Sequence, residues 1–264
     1  MHGLPHYRNL DQSGEAHDAV RRMEARALEP ASDQMFQQLV VLMANAPERI
    51  SEIGCGTGAL SRRLKRATPT SLVFGADKSA EMIGAAQRLL PPGDKAAIHF
   101  GQWDVSKDSL FPFDVKTFDF ILSSVMVPYL SEYEINPLIR SLVARLAPEG
   151  VLAFVEQDLL SDLLNFPSLE LFRKIFAKDQ RKLKSWLALG LRPRLRAEGL
   201  TTLPRRSFRW TDDAYGTYCR DLLSQIASSE CQAGLITLQE QKEWLDTLEA
   251  QAKSGDFYYG IVCH

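Results

Sequence analysis

Short apolar runs alternate with amphipathic stretches along residues 46–158. The run ERISEIG (48–54) predicts a strand, and ALSRRLKRA (59–67), whose apolar positions have helical spacing, predicts the helix after it. Two more helices are predicted in SAEMIGAAQRLL (79–90) and EINPLIRSLVARLAPEG (134–150). Further strands are predicted in SLVFGAD (71–77), AAIHFGQWD (96–104), FDFILSSVMV (118–127) and VLAFVEQD (151–158). This alternation predicts a doubly wound α/β fold with a mostly parallel sheet, which binds ligands beyond the carboxyl ends of its strands.

The regions on either side of this core have a different pattern. Residues 1–45 begin as a polar arm and continue as helices, so 46–158 is the expected ligand-binding core of one domain spanning 1–264. Helical spacing returns at 159–190 and 211–254, and we expect these blocks to be cap insertions over the sheet. Two late strands are predicted in RRSFRW (205–210) and DFYYGIVCH (256–264).

Composition and charge narrow the class of protein. No apolar run reaches the ~18 residues of a membrane span, and the N-terminus lacks the features of a signal peptide. The formal net charge of −2 argues against a nucleic-acid-binding protein, whose phosphate contacts favour a basic excess. The four cysteines have no metal-ligand spacing, so we predict free thiols, no metal site and a cytoplasmic location.

The most informative stretch is SEIGCGTG (51–58), which lies between the first strand and the first helix. Gly54, Gly56 and Ala59 formally match the fingerprint of dinucleotide-binding enzymes, so an NAD(P)-dependent oxidoreductase is one alternative. That fingerprint binds phosphate at a helix N-terminus, and a carboxylate at Glu52 disfavours a pyrophosphate there. The Glu52 carboxylate suits a cationic ligand instead. S-adenosyl-L-methionine is such a ligand, because it has an ammonium, a sulfonium and only one carboxylate.

Two more acids follow predicted strands. Asp77 ends the second strand about 20 residues past the glycine loop, where an acid can bind both ribose hydroxyls of a nucleoside. NAD enzymes share this feature, so it does not discriminate between the two cofactors. Asp104 follows the third strand beside Trp103. An acid there can accept a hydrogen bond from the adenine amino group while the aromatic ring covers the base.

Several segments together resemble one known family. They are SEIGCGTG (51–58), GADKSAEMI (75–83), FGQWD (100–104), FDFILSSVMVPYL (118–130), LAPEGVLAFVEQD (146–158), KSWLALGLRPRLRAEGL (184–200) and ITLQEQKEWLDTLEAQAKSGDFYYGIV (236–262). In this order the sequence resembles the class I S-adenosylmethionine-dependent methyltransferases, in the branch of ubiquinone/menaquinone-biosynthesis and natural-product methyltransferases. The resemblance covers most of residues 35–264, and its first two motifs are the most specific.

The resemblance implies a Rossmann-like, seven-stranded, mostly parallel sheet whose last strand is antiparallel. It implies S-adenosyl-L-methionine as cofactor and S-adenosyl-L-homocysteine as product. The residues then expected to bind the cofactor are Tyr7, Glu52, Gly54, Cys55, Gly56, Gly58, Asp77, Lys78, Met82, Trp103, Asp104, Val105 and Ser123. Where many relatives have a histidine after the fourth strand, this chain has Val127, Pro128 and Tyr129, so a role tied to that histidine does not transfer.

Catalytic residues are harder to choose, because a sulfonium methyl group is already activated. The enzyme mainly aligns the acceptor and excludes water, and it needs a base only for an acceptor that must lose a proton. Asp158 after the fifth strand and Tyr129 after the fourth are the candidates, with His6 or Tyr7 in the arm as further ones. We expect a small, partly apolar acceptor under the caps, where aromatic side chains are available. These are Phe166, Phe172, Phe176 and Trp186.

One more alternative belongs to a different class. A protein can keep the fold and the cofactor without methyl transfer, as a cyclase or a binding partner, because no single residue is required for methyl transfer. Formation of S-adenosyl-L-homocysteine with an acceptor distinguishes this alternative from a methyltransferase.

Overall fold

The computed structural model describes residues 10–43, 46–108, 110–176 and 185–264. The strands in these ranges are β1 Arg49–Ile53, β2 Leu72–Asp77, β3 Ile98–Gln102, β4 Phe118–Ser124, β5 Leu146–Val155, β6 Gln157–Leu164, β7 Phe208–Asp212 and β8 Tyr259–Cys263. Five of them form a parallel sheet in the order β3-β2-β1-β4-β5. The strand order reverses at β1, so its carboxyl end is the expected ligand-binding edge.

A three-stranded antiparallel sheet, in the order β6-β8-β7, continues the larger sheet. Only Glu156 separates β5 from β6, and it exchanges two backbone hydrogen bonds of 2.9 Å with His264. The predicted α/β fold class is confirmed, and the last strand is antiparallel. The prediction of seven strands in one sheet differs from the structure because the fifth strand extends to Leu164 and changes its partner from β4 to β8 at Glu156.

Helices flank both sheets. They are α1 Leu10–Ser13, α2 Ala16–Leu28, α3 Pro30–Leu42, α4 Ala59–Ala67, α5 Ala80–Arg88, α6 Glu132–Val143, α7 Leu169–Phe176, α8 Ser185–Leu189, α9 Leu191–Ala197, α10 Thr217–Gln232 and α11 Leu238–Ser254. Within the described ranges, none of these helices is long and apolar enough to cross a bilayer. The same residues contain no group of three or more His, Cys, Asp or Glu that could hold a metal ion.

One predicted boundary near the middle of the chain is wrong. The helix expected to end near Gly150 ends at Val143, and β5 already begins at Leu146. A Cβ at Gly150 would lie 3.0 Å from the carbonyl oxygen of Phe118. The glycine therefore allows β5 to approach β4 closely, at the point where the pairing register shifts.

The two predicted cap blocks also begin as strands. Residues 159–164 of the first block belong to β6, where Leu159 and Leu164 are buried against the core. Pairing with β8 satisfies their backbone groups, so a sheet replaces the expected helix there. The rest of this block contains α7 and α8, with residues 177–184 outside the described part. The second block starts at the end of β7 and contains α10 and α11.

The aromatic residues proposed for the acceptor pocket pack elsewhere. The Phe166 ring lies 4.3 Å from that of Trp244, and the Phe172 ring lies 4.8 Å from that of Phe176. The residues of these two ring pairs belong to the apolar core between the small sheet, α7, α10 and α11, or pack against it. Trp186 is 50% exposed. The acceptor pocket must therefore be lined by other residues.

Candidate cofactor and acceptor site

The glycine loop at residues 54–58 joins β1 to α4 at the carboxyl edge of the sheet. Gly54, Gly56 and Gly58 have φ angles of +72°, +51° and +70°, a region that favours glycine over residues with a Cβ. A Cβ on Gly56 would lie 2.6 Å from the sulfur of Met23. Helix α2 therefore lies directly against the loop.

A cavity of about 320 Å³ opens at this edge, within the size range of small-molecule sites. Its walls come from the glycine loop, the ends of β1 and β2, the segments after β3 and β4, and helices α2 and α10. Most of the predicted site residues are brought together here. Those that line the cavity are Glu52, Gly54, Cys55, Gly56, Asp77, Lys78, Met82, Trp103, Asp104, Val105 and Tyr129.

Glu52 is a buried carboxyl group in the wall of this cavity. It is 3% exposed, and the Ser61 hydroxyl donates a short hydrogen bond to its Oε2 atom. Burial raises the pKa of Glu52 to about 8; the charge of Asp77 adds to this, whereas Ser61 and Arg62 oppose it. A cation in the cavity would favour the ionised form, so Glu52 suits a positively charged ligand.

Asp77 connects the glycine loop to the next helix. Its Oδ2 accepts a hydrogen bond from the Gly56 N–H at 2.8 Å, and its Oδ1 accepts one from the Ser79 N–H at 2.9 Å. Burial raises the pKa of Asp77, although both hydrogen bonds act in the opposite direction. Each carboxylate oxygen keeps a lone pair for another donor, so the side chain can still accept ligand hydroxyls.

The segment after β3 supplies an acceptor and a donor. Asp104 Oδ1 accepts hydrogen bonds from the Ser106 N–H at 3.0 Å and hydroxyl at 2.6 Å. Burial acts to raise the pKa of Asp104, but these bonds and the nearby Lys107 lower it overall. Trp103 is 5% exposed and lies edge-on to Phe111, and its Nε1 has no hydrogen-bond partner among the described residues. A polar ligand can satisfy such a donor.

For two predicted residues, a neighbour in the sequence lines the cavity instead, because successive side chains of a strand point to opposite faces. Ser123 is fully buried within β4, and its neighbour Ser124 lines the cavity instead. Similarly, Gln157 lines the cavity and Asp158 does not. The Asp158 carboxylate lies 3.9 Å from Nε2 of His264. Asp158, predicted as a catalytic candidate, therefore lies outside the cavity wall.

Gly58 has a packing role rather than a place in the cavity wall. A Cβ there would lie 2.3 Å from the ring of Phe100, so this glycine allows α4 to pack against β3. Tyr7, and with it His6, lies outside the described residues.

The N-terminal helices are fixed over the cofactor end of the cavity. Asp11 of α1 accepts hydrogen bonds from the Ala80 N–H at 2.9 Å and from the Ser79 hydroxyl, at the start of α5. Leu10 packs in one apolar cluster with Met82. The sequence motifs gave no indication of this contact, which joins residues almost 70 positions apart.

Helix α2 is also tied to the glycine loop. Its Glu24 accepts a hydrogen bond of 2.5 Å from the Thr57 hydroxyl and forms an ion pair of 2.7 Å with Arg62. Next to Met23 on this helix, Arg22 and Arg26 line the cavity. They lie four positions apart on α2, so their side chains are on one face of the helix.

The wall opposite the cofactor end comes mainly from α10 and has mixed chemistry. Sequence analysis predicted a helical cap here without identifying its site residues. Those that line the cavity are Tyr218, Leu222, Gln225, Ile226, Ser229 and Glu230. Together with α2, they form a chamber that is partly apolar and partly polar.

Glu156 lies beside this chamber and was also missed by sequence analysis. Its Oε1 accepts hydrogen bonds of 3.2 Å from the N–H groups of Met126 and Val127, in the segment after β4. Its Oε2 is buried and has no hydrogen-bond partner in the described ranges. Burial raises the pKa of Glu156 to about 8, which the charge of Arg26 partly opposes.

Comparison with known proteins gives a family match over the core. Residues 50–150 match the family model described as "Methyltransferase domain". The trans-aconitate 2-methyltransferase of Yersinia pseudotuberculosis serotype O:1b (strain IP 31758) is 29% identical over 158 residues, covering 60% of this chain and 54% of that protein. The enzyme of that name from Pseudomonas aeruginosa (strain UCBPP-PA14) is 28% identical over 149 residues, covering 52% and 50%. The chain thus spans about half the length of the curated relatives it matches.

Solved structures share the fold at low sequence identity. YjhP from E. coli has a TM-score of 0.54 at 13% identity, over 94% of this chain and 98% of its own. A protein of an antibiotic biosynthesis pathway from Anabaena variabilis ATCC 29413 has a TM-score of 0.51 at 14% identity, over 86% and 96%.

The sheet is doubly wound, a glycine loop follows its central strand β1, and an acid ends β2. These features define an α/β domain that binds a nucleoside cofactor. The family match over residues 50–150 contains this loop and both Asp77 and Asp104. The comparisons therefore support the class I S-adenosylmethionine-dependent methyltransferase that the sequence predicted, with S-adenosyl-L-methionine as its cofactor.

Proposed function

We propose that this chain transfers the methyl group of S-adenosyl-L-methionine to a small-molecule acceptor. One observation carries the proposal: a single cavity joins Glu52 and Asp77 at one end to a chamber between α2 and α10 at the other. The chamber walls include Met35, Leu222 and Ile226 as well as polar groups, which supports a partly apolar acceptor.

The predicted cofactor residues fit the parts of S-adenosyl-L-methionine. Asp77 can accept hydrogen bonds from ribose hydroxyls, Asp104 can accept one from the adenine amino group, and the Glu52 carboxylate favours a cationic ligand. Trp103 provides a ring and a donor that lacks a partner among the described residues. When bound, the cofactor supplies a methyl group activated by its sulfonium and leaves as S-adenosyl-L-homocysteine.

The chain itself contributes alignment and exclusion of water. Helices α1 and α2 cover the cofactor end of the cavity, because Asp11 holds the start of α5 and Glu24 holds Thr57. A covered site keeps the acceptor in line with the methyl group and excludes water as a competing nucleophile. Tyr129 lines the cavity after β4, and we assign it to acceptor positioning.

We also propose a cytoplasmic location. Four free thiols, Cys55, Cys219, Cys231 and Cys263, are consistent with a reducing, cytoplasmic location. The family match does not favour the NAD(P)-dependent oxidoreductase. A cofactor-binding protein without methyl transfer is the alternative that the following experiment addresses directly.

The test combines binding with product formation. Calorimetric titration is expected to show binding of S-adenosyl-L-homocysteine to the wild type, no binding of NADH, and loss of S-adenosyl-L-homocysteine binding in Asp77→Ala. Incubation with S-adenosyl-L-methionine and an acceptor panel is expected to yield S-adenosyl-L-homocysteine together with a methylated acceptor. Binding of NADH without S-adenosyl-L-homocysteine would contradict the proposal. Cofactor binding with turnover to an unmethylated product would indicate the cyclase alternative.

A further inference from the structure

Arg26 differs from neighbouring arginines in its lack of a carboxylate partner. Around the same cavity, Arg62 pairs with Glu24 and Arg63 forms an ion pair with Asp33. Arg26 is half-buried and lines the chamber, yet its guanidinium forms no ion pair within the described part of the chain. Its guanidinium carbon lies over an aromatic ring, 5.8 Å from the ring centroid.

The aromatic partner places Arg26 at the acceptor end of the cavity. It is Tyr218, the first residue of α10 that lines the chamber. Along α2, Arg26 lies one turn beyond Met23, the residue in contact with the glycine loop. The guanidinium thus lies at the part of the cavity formed by α2 and α10.

Glu156 does not neutralise this charge through an ion pair. Its Oε1 is engaged by two backbone N–H groups, and its Oε2 has no partner among the described residues. Burial raises the pKa of Glu156 to about 8, which favours its neutral form, although the charge of Arg26 acts in the opposite direction. A half-buried guanidinium without a counterion in a partly apolar chamber favours an anionic ligand, above all a carboxylate, which it can bind through two parallel hydrogen bonds.

We propose that the acceptor carries a carboxylate that pairs with Arg26 and fixes the acceptor in the chamber. This inference rests on the proposed function. Pairing with a guanidinium lowers the nucleophilicity of the carboxylate oxygens. The methyl group is therefore received by a different atom of the acceptor, nearer the cofactor. The acceptor is then an organic acid with its apolar part along Leu222 and Ile226.

The test measures binding of acids to the protein saturated with S-adenosyl-L-homocysteine, so that it does not depend on turnover. The probes are trans-aconitate, octanoate and the uncharged octanamide. We compare the wild type with Arg26→Gln, Arg26→Lys and Arg66→Gln. Arg66 is exposed on α4 outside the cavity, and Arg66→Gln removes the same charge.

The wild type and Arg66→Gln are expected to bind at least one acid at least about 10-fold more tightly than the amide. Arg26→Gln should remove this preference, Arg26→Lys should keep part of it, and none of the variants should change the Kd of S-adenosyl-L-homocysteine by more than about twofold. A tenfold higher Kd of S-adenosyl-L-homocysteine in Arg26→Gln would overturn the inference, because Arg26 would then hold the cofactor carboxylate. Equal binding of acid and amide by the wild type, or binding of neither, would overturn it as well. If the wild type binds S-adenosyl-L-homocysteine in either case, the proposed function still stands.

Discussion

Replacement of Asp77 by asparagine tests the cofactor end of the cavity most directly. The substitution keeps the size and shape of the side chain and removes its charge. In the wild type, both carboxylate oxygens accept a backbone hydrogen bond, one from Gly56 at 2.8 Å and one from Ser79 at 2.9 Å. Asparagine has a single carbonyl oxygen, so its NH₂ group must face one of these N–H donors or turn towards the ligand.

The expected loss of affinity follows from these contacts. A hydrogen bond to a charged group contributes about 1.5–3 kcal/mol, which corresponds to a loss of about 10- to 150-fold in Kd. Stability should respond differently. Because burial raises the pKa of Asp77, its charge is unfavourable in the ligand-free protein, and asparagine removes that cost as it loses the hydrogen bond. We expect the free energy of unfolding to change by less than about 1 kcal/mol.

The assay is calorimetric titration with S-adenosyl-L-homocysteine, together with urea unfolding of the same samples. Asp213→Asn is the control, because Asp213 is exposed, lies outside the cavity and loses the same charge. If Asp77→Asn binds within about threefold of the wild type, the assigned role of Asp77 is wrong. If affinity and stability fall together, the side chain holds the fold rather than the ligand.

Three further predictions concern the carboxyl groups and glycines around the site. Because burial raises the pKa of Glu52 to about 8 and the ammonium group of the ligand would lower it, binding of S-adenosyl-L-homocysteine should release a proton and strengthen as the pH rises towards that value. Titrations in two buffers of different ionisation enthalpy measure this release, which Glu52→Gln should abolish. Gly56→Ala should lower the free energy of unfolding by about 1–2 kcal/mol, because φ is +51° there, and urea unfolding measures the loss. Asp11→Ala removes the acceptor at the start of α5 and should cost about 0.5–2 kcal/mol by the same assay, with faster release of S-adenosyl-L-homocysteine in stopped-flow experiments.

The parts of the site set by local sequence were predictable. Positive φ angles at Gly54, Gly56 and Gly58 follow from a tight turn between a strand and a helix, which glycine accommodates without strain. The ends of parallel strands meet at one edge of a sheet, so an acid at Asp77 had to lie near that turn. Both inferences need only the order of the strands and the chemistry of single residues.

The remaining parts depend on details that a hydrophobic pattern does not contain. When a strand is predicted without its partner, the sequence does not specify which face each side chain is on. The prediction therefore named Ser123 and Asp158, whereas the neighbouring Ser124 and Gln157 line the cavity. The α2 contribution depends on contacts between distant residues, such as the hydrogen bond from Thr57 to Glu24. Such contacts are decided by packing, and helical spacing alone does not specify which face of α2 meets the loop.

The buried carboxyl groups explain why this cavity should respond strongly to its ligands. Glu52 and Asp77 belong to β1 and β2, Glu156 lies between β5 and β6, and burial raises the pKa of each. A fold selected for stability alone would replace such groups with apolar ones, because a poorly compensated buried charge is unfavourable. A cationic cofactor compensates Glu52 and Asp77 at one end, and a carboxylate acceptor compensates Arg26 at the other. The two ligands therefore supply opposite charges to one cavity, and binding of each should raise the unfolding temperature of the protein.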